Sequence, residues 1–300
     1  MTEEKNIMPE EEIIFDVAPG EKYEDDRSRT TIFFQVLGRK FWKLISMNLI
    51  FLVFNIPSII VSFFLSGYIV NVFSPVIENA NDMVAVLFVY SFPLLMFLMV
   101  IPTITVGPAQ AGLTYLLRCF SYEIPTFYWS DFKDKMKENL KQGIAVSLIN
   151  LVAIVLLIID FYLYDQMTSN NTGFVLSAAN GLLIVVFLLF LMMSMYLYPM
   201  MVSYELSLKN LYKNAFLFSI GKFIPNLGVL ILCFLLVVGP MAVVMFTGSA
   251  IALVIVYIYY IALGFTLPGL VMNFLINPVI DKYLRPAPAQ ENPVQEAHED

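Results

Sequence analysis

Histidine and cysteine are nearly missing from this chain: His298 is the single histidine, and Cys119 and Cys233 are the two cysteines in 300 residues. One histidine in an acidic terminal stretch leaves no material for a metal centre or for imidazole acid–base catalysis. Two cysteines, one beside a predicted cytoplasmic loop and one inside an apolar run, cannot form a disulfide framework, and both read as reduced. Charged residues are scarce too, at 14% of the chain. The zinc-protease HExxH, the GxSxG nucleophile turn and the phosphate-cradling GxxxxGK[ST] are all absent from the sequence. Asp131 and Asp134 are neighbours only in sequence, on what reads as a solvated helix face. The expectation is a protein that is not an enzyme and uses no cofactor.

What the chain has in abundance is apolar side chains, 59% hydrophobic and 15% aromatic, with a mean hydropathy of +0.77. That composition lies outside the range of soluble domains and implies an integral membrane protein. A spanning helix needs about 20 largely apolar residues, because it rises about 1.5 Å per residue through a core of about 30 Å. Six segments meet that requirement, at about 44–66, 84–106, 144–164, 174–200, 227–246 and 250–275. Between the last two, only Thr247, Gly248 and Ser249 interrupt the apolar run. The expected fold is therefore all-α: a polytopic membrane bundle of six transmembrane helices over residues 29–283, with one or two cytoplasmic interfacial amphipathic helices. The acidic stretches 1–28 and 284–300 flank it and are expected to be disordered. The start, MTEEKNIMPEEE, lacks a signal peptide's basic and apolar pattern, so the first span is expected to stay as an uncleaved anchor.

The formal net charge of -7 conceals a division. Residues 1–26 carry ten acids and two lysines, residues 291–300 carry four acids, and residues 27–290 carry 15 bases against 10 acids. The bases are also sorted along the chain. Arg27, Arg29, Arg39, Lys40 and Lys43 precede the first span, and Arg118, Lys133, Lys135, Lys137 and Lys141 follow the second. Lys209, Lys213 and Lys222 follow the fourth, and Lys282 and Arg285 the sixth, while the intervening loops contain no base. Cytoplasmic loops retain Lys and Arg, so both termini are expected in the cytoplasm of a bacterial plasma-membrane protein. The lipid bilayer is the first partner implied, and nucleic acid is not among the rest.

Two loops stand out. In Ser121–Gly143, Tyr128, Phe132, Met136 and Leu140 recur every fourth position, with Lys133, Lys137 and Lys141 as a parallel stripe. This pattern predicts an amphipathic helix capped by Ser130 or Thr126, with Phe127, Tyr128 and Trp129 at headgroup depth. It either anchors the loop or docks a cytoplasmic partner through Trp129, Phe132, Lys133, Lys137 and Lys141. Ser203–Gly228 echoes it: both loops open Ser-Tyr-Glu, continue through a Lys-bearing stretch, here Lys209 and Lys213, and close on Gly before a span. A weak parallel repeat and chance similarity both account for that echo.

Helix breakers mark candidate bends or a solute path. In Ile101–Leu117, Pro102, Gly107 and Pro108 precede Gln110 and several small residues, and Pro57, Gly239–Pro240 and Gly264 with Pro268 and Gly269 punctuate other spans. Asn48, Asn55, Asn150 and Asn180 can bind either a neighbouring helix or a solute. Asp160, near the outer end of the third span, is the ionisable residue within a span, which disfavours a proton or sodium pump.

The Pro102–Thr103 and Gly107–Pro108–Ala109 elements, then Tyr115, Arg118, Trp129, Asp131, Phe132, Glu138, Asn139 and Gln142, resemble the YesL-like family, known as the domain of unknown function 624 family. With Ser203–Gly228, the resemblance extends over about 29–283. It implies a bacterial multi-span protein considered alongside carbohydrate ABC import systems, with ABC sugar-import components as partners and no catalytic residues to carry over. The EAA-Gly loop of importer permeases is not matched, since Glu205 is followed by Leu206 and Ser207 and position 211 is Leu. An accessory to carbohydrate uptake is therefore the leading expectation, and an autonomous small-solute transporter or channel the alternative.

Overall fold

Long apolar runs with few Pro or Gly fold as helices because hydrocarbon offers the backbone no other partner. The computed structural model describes residues 27–72, 106–170 and 174–284, and among these it is all-helical. In chain order the helices are α1 (Arg29–Arg39), α2 (Phe41–Phe54), α3 (Ile56–Val72), α4 (Val106–Ser121), α5 (Tyr128–Glu138) and α6 (Leu140–Asn170). They continue as α7 (Phe174–Met201), α8 (Leu208–Gly221), α9 (Phe223–Val237), α10 (Gly239–Thr247), α11 (Ala250–Ala262) and α12 (Thr266–Leu284). Pro102, residues 84–105 of the second predicted span, and the stretches 1–26 and 285–300 lie outside the described residues.

Among the described residues, two helices are long and apolar enough to cross a membrane, within α6 (Leu140–Phe161) and α7 (Leu176–Met201), and up to five spans result if each bent pair is one span. Their outer faces are apolar, with Val152, Leu156 and Leu182 more than half exposed. The first predicted span is not straight: α2 and α3 meet at 63° around Asn55, one position before Ile56–Pro57. The sixth predicted span is α11 and α12, bent by 54° at Leu263–Phe265. The fifth predicted span is α9 followed by α10, with the helix interrupted at Val238 before Gly239–Pro240. α8 and α9 meet at 99°, beside Lys222.

Each bend exposes carbonyls and amides that need partners, and buried or half-buried asparagines lie at them. Asn48 Nδ2 donates to the Tyr260 and Ile261 carbonyls at 2.9 and 2.7 Å, while its Oδ1 accepts from the Phe265 and Thr266 amides at 3.0 and 3.1 Å. One side chain from α2 thus holds both ends of the α11–α12 break. Asn226 does comparable work at the α8–α9 corner, donating to the Phe218 carbonyl at 3.0 Å and accepting from the Tyr196 hydroxyl at 2.5 Å. Asn139, between α5 and α6, donates to the Lys135 carbonyl at 2.9 Å. At the α2–α3 bend, Asn55 donates to the Phe51 carbonyl at 2.7 Å.

α4 is the central helix: all its residues except Gln110, Tyr115 and Arg118 are buried. Its small residues let neighbours approach to backbone contact. A methyl group at Gly107 would collide with the Gly143 carbonyl and the Ser147 hydroxyl of α6. One at Gly112 would lie 2.7 Å from the Phe132 carbonyl of α5. Two apolar clusters flank α4, one containing Leu44, Phe51, Phe120, Phe132 and Phe274, the other Val146, Met192, Tyr196, Leu211 and Ile280. Helix α12 contributes to both.

Gly107→Ala is expected to destabilise the fold by about 1–3 kcal/mol, since the obstacle is helix backbone that cannot rotate away. Gly181→Ala, at a position with open space around it, should leave the melting temperature unchanged or raised. Thermal unfolding of the two variants in detergent checks the contrast.

Candidate functional site

The two Ser-Tyr-Glu loops are drawn to one carboxylate. Tyr122 of the first donates its hydroxyl to Asp281 Oδ2 at 2.5 Å, and Tyr204 of the second donates to Asp281 Oδ1 at 2.7 Å. Arg118 at the end of α4 completes the site, its Nη2 lying 2.9 and 3.1 Å from the two oxygens. The Arg118 and Asp281 side chains are only 17% and 11% exposed, so this pair is shielded from solvent far more than a surface ion pair. Burial and the bond to Asp281 push the Tyr122 phenol above its ordinary value, which keeps it protonated and donating. Asp281 stands on α12 beyond the apolar run, where sequence pattern gives it no role. Its partners lie far away in the chain, and no local spacing announces them.

Around this junction the loops are tied to the rest of the molecule. Arg29 of α1 donates to the carbonyls of Ser121 and Phe274, both at 3.1 Å. The guanidinium carbons of Arg29 and Arg118 each stand 5.2 Å from the centroid of the Tyr122 ring, within cation–π range. Gln142 at the start of α6 donates to the Leu206 carbonyl of the second loop at 2.9 Å. Asn277, one turn before Asp281, donates to the Ser121 hydroxyl at 3.4 Å.

The first loop turns on Glu123, a non-glycine residue at a φ of 57°. Glycine is the usual residue at such a left-handed helix terminus. Glutamate holds the position by pairing with Arg27 at 2.6 Å and with Arg39, which fastens α1 to the end of α4. Burial alone would raise the Glu123 pKa, but the hydrogen bonds from Arg27 and Arg39 outweigh it and hold the carboxyl below its ordinary value. A depressed carboxyl contributes stability above the unfolded value, and that contribution disappears as pH falls through the folded one. Arg39 is 59% exposed, so screening limits the effect to about 1 kcal/mol or less per pair. Glu123→Gln should therefore lower the melting temperature modestly at neutral pH, and the difference should shrink as pH falls through the depressed folded value, where the native side chain becomes neutral as well.

The residues singled out for docking divide into anchors and surface. Phe132 is fully buried, its ring 5.1 Å from that of Phe54 and its backbone against Gly112. It secures α5 to α4 and is removed from any docking surface. Trp129 is half exposed and lies 5.8 Å from the Phe54 ring, with the Lys133 ammonium 5.5 Å from its own. Lys137, Lys141, Lys209 and Lys213 are exposed. The start of α5 is capped by neither Ser130 nor Thr126. The Asp131 carboxylate accepts from the Phe127 amide at 2.9 Å, so an acidic side chain one turn on closes the helix start.

Of the residues singled out as a solute path, Pro102 lies outside the described residues, and Gly107 and Pro108 are packing residues. Gly107 and Pro108 are buried against Gly143, so the backbone contact fills the space there. Gln110 is half-buried on α4. Asn55 is different: it is fully buried, and its Oδ1 has no hydrogen-bond partner. Asn150 accepts from the Tyr212 hydroxyl at 3.1 Å, which links α6 to α8. Asp160 is exposed. Among the described residues, no group of three or more His, Cys, Asp or Glu is arranged to hold a metal ion.

Residues 44–161 match the family model described as a protein of unknown function, DUF624. No curated protein and no solved structure matches the chain.

Proposed function

We propose that this chain, which belongs to the DUF624 family, is a non-enzymatic plasma-membrane protein that docks a cytoplasmic partner as an accessory to carbohydrate uptake of the ABC type. In this reading the chain crosses the bilayer six times with both termini inside, and α5 and α8 lie along the cytoplasmic leaflet. The observation that carries the docking role is the junction at Asp281. It joins the two basic loops into one rigid end and leaves Lys137, Lys141, Lys209 and Lys213 turned outward. A preorganised basic face of this kind suits an acidic protein surface, because little ordering remains to be done on binding. The carbohydrate assignment comes from the resemblance noted above, and the lysine face supplies its physical means.

Affinity purification in mild detergent tests this reading. An importer subunit or ATPase should co-purify with the native chain and be lost when the four lysines are replaced by Glu. Recovery of the protein alone would contradict the role.

One observation favours a second reading, a small-solute transporter or channel. Asn55 places an unpartnered buried oxygen at the 63° bend between α2 and α3, and irregular polar backbone at membrane depth is tolerated beside cavities. Flux measurements on reconstituted vesicles separate the two: a path through the bend loses transport on Asn55→Leu, and an accessory protein shows no flux of its own.

A further inference from the structure

The outer face of α2 and α3 carries an apolar stripe that ends in a basic corner. Trp42, Leu49, Val53, Ile56, Ile60 and Phe63 recur at steps of seven, four or three, and all are exposed, Trp42 the most at 77%. The α2–α3 pair is apolar enough to be one bent span, so the medium against this stripe is lipid. Where the stripe meets the α1–α2 junction, Lys40 and Lys43 flank Trp42. The Lys40 ammonium lies 4.3 Å from the centroid of the Phe120 ring, and that of Lys43 lies 5.4 Å from the Tyr128 centroid. A ring face steadies an ammonium but does not neutralise it. Among the described residues neither lysine has a carboxylate within ion-pair distance, whereas Arg39, Arg118 and Lys135 each have one. Lys40 is half-buried, and that burial, with Lys43 close by, holds its pKa below the ordinary value. Two like charges one turn apart, one of them partly desolvated, are stabilised by an anion beside them. No side chain caps α2 at Lys40, so the helix start adds to the positive potential there.

We infer that Lys40, Trp42 and Lys43 form a headgroup site for an anionic phospholipid, with its phosphate at the two ammoniums and an acyl chain along the α2–α3 stripe. Tryptophan at a membrane surface sits at headgroup depth, which sets the indole and its flanking lysines level with lipid phosphates. Some lipid always borders the stripe, so the site recruits no ligand from solution. It has only to favour an anionic headgroup over a zwitterionic one. Bases at a membrane surface supply that preference, and two acting together make it several-fold. A zwitterionic lipid brings its own cation to the same place and forfeits the advantage. The site is separate from the docking face, whose lysines are Lys137, Lys141, Lys209 and Lys213, and it needs no partner protein.

Trp42 and Trp129 are the two tryptophans of the chain, so Trp129→Phe leaves Trp42 as the sole indole reporter. The full-length variant is reconstituted in nanodiscs holding phosphatidylglycerol and phosphatidylcholine, with bromine on the acyl chains of one lipid or the other. Bromine quenches the fluorescence of an indole that it touches. Brominated phosphatidylglycerol should half-quench Trp42 at a several-fold lower mole fraction than brominated phosphatidylcholine. Adding Lys40→Gln and Lys43→Gln should remove that difference while quenching by brominated phosphatidylcholine persists, and Lys40→Arg with Lys43→Arg should keep it. In the reciprocal Trp42→Phe chain the reporter is Trp129, where the glutamine changes should alter nothing. Equal quenching by the two lipids with both lysines present would overturn the inference, as would a preference that survives the glutamine changes. So would a Trp42 that neither lipid quenches, the result of a protein surface seated on the stripe. An equal loss of preference at Trp129 would mean a general surface attraction and would overturn the site as well.

Discussion

Asp281→Ala is expected to destabilise the protein by about 3 kcal/mol or more, and to loosen both loops at once. Removing one member of a shielded ion pair leaves the other charged and uncompensated, and Arg118 already has an unpartnered buried Nη1. The tyrosines add to the effect, each losing the acceptor of its hydroxyl. Tyr122→Phe and Tyr204→Phe should cost about 1 kcal/mol each, the ordinary contribution of a hydrogen bond. The Arg118→Leu, Asp281→Leu double variant should be less damaged than the sum of its single changes, because no charge is stranded. Melting temperatures in detergent give the energies. Hydrogen exchange gives the second signature: amides of residues 121–127 and 202–207 should lose protection together in Asp281→Ala. Loss confined to one loop would mean that the carboxylate does not join them.

Asn48→Ala should have an effect of comparable size by a different route. Its amide satisfies four backbone groups at the α11–α12 break, which Ala would leave without partners in a water-poor interior. At about 1 kcal/mol or more for each stranded group, a loss of about 3 kcal/mol or more follows. Asn55→Ala provides the contrast. That side chain makes one bond, within its own turn, and carries an oxygen that is already unpartnered. Its replacement should cost much less. A melting temperature equally depressed in both variants would mean that the two asparagines are not distinguished by their partners.

These two sites differ in how far the sequence foretells them. Apolar run length locates the helical segments, and Pro57, Gly239–Pro240 and Gly264 mark where three of them break. Asn48 reads as interhelical bonding material, yet which break it serves depends on a contact across most of the chain. The motif residues behind the family resemblance turn out to be joints: Arg118 at Asp281, Phe132 under Gly112, Asn139 at the α5–α6 break and Gln142 on the second loop. Their types are legible and their partners are not, because pairing is set by tertiary approach. α1 escapes notice for a different reason. Its bases read as a topology flank, although Ser28 accepts from the Thr31 amide as a cap and Ile32 and Val36 recur one turn apart on its buried side. Phe132 misleads through its place in an amphipathic pattern, which fixes the buried face of a helix without saying whether that face meets lipid, a partner or the protein's own core.

The docking account requires the outward lysines of both loops to stand in the cytoplasm. Single cysteines at positions 137 and 213, introduced into a chain whose Cys119 and Cys233 are replaced by Ala, report this directly with a membrane-impermeant maleimide. Both positions should label only after the cells are permeabilised; labelling of either one in intact cells would contradict the account.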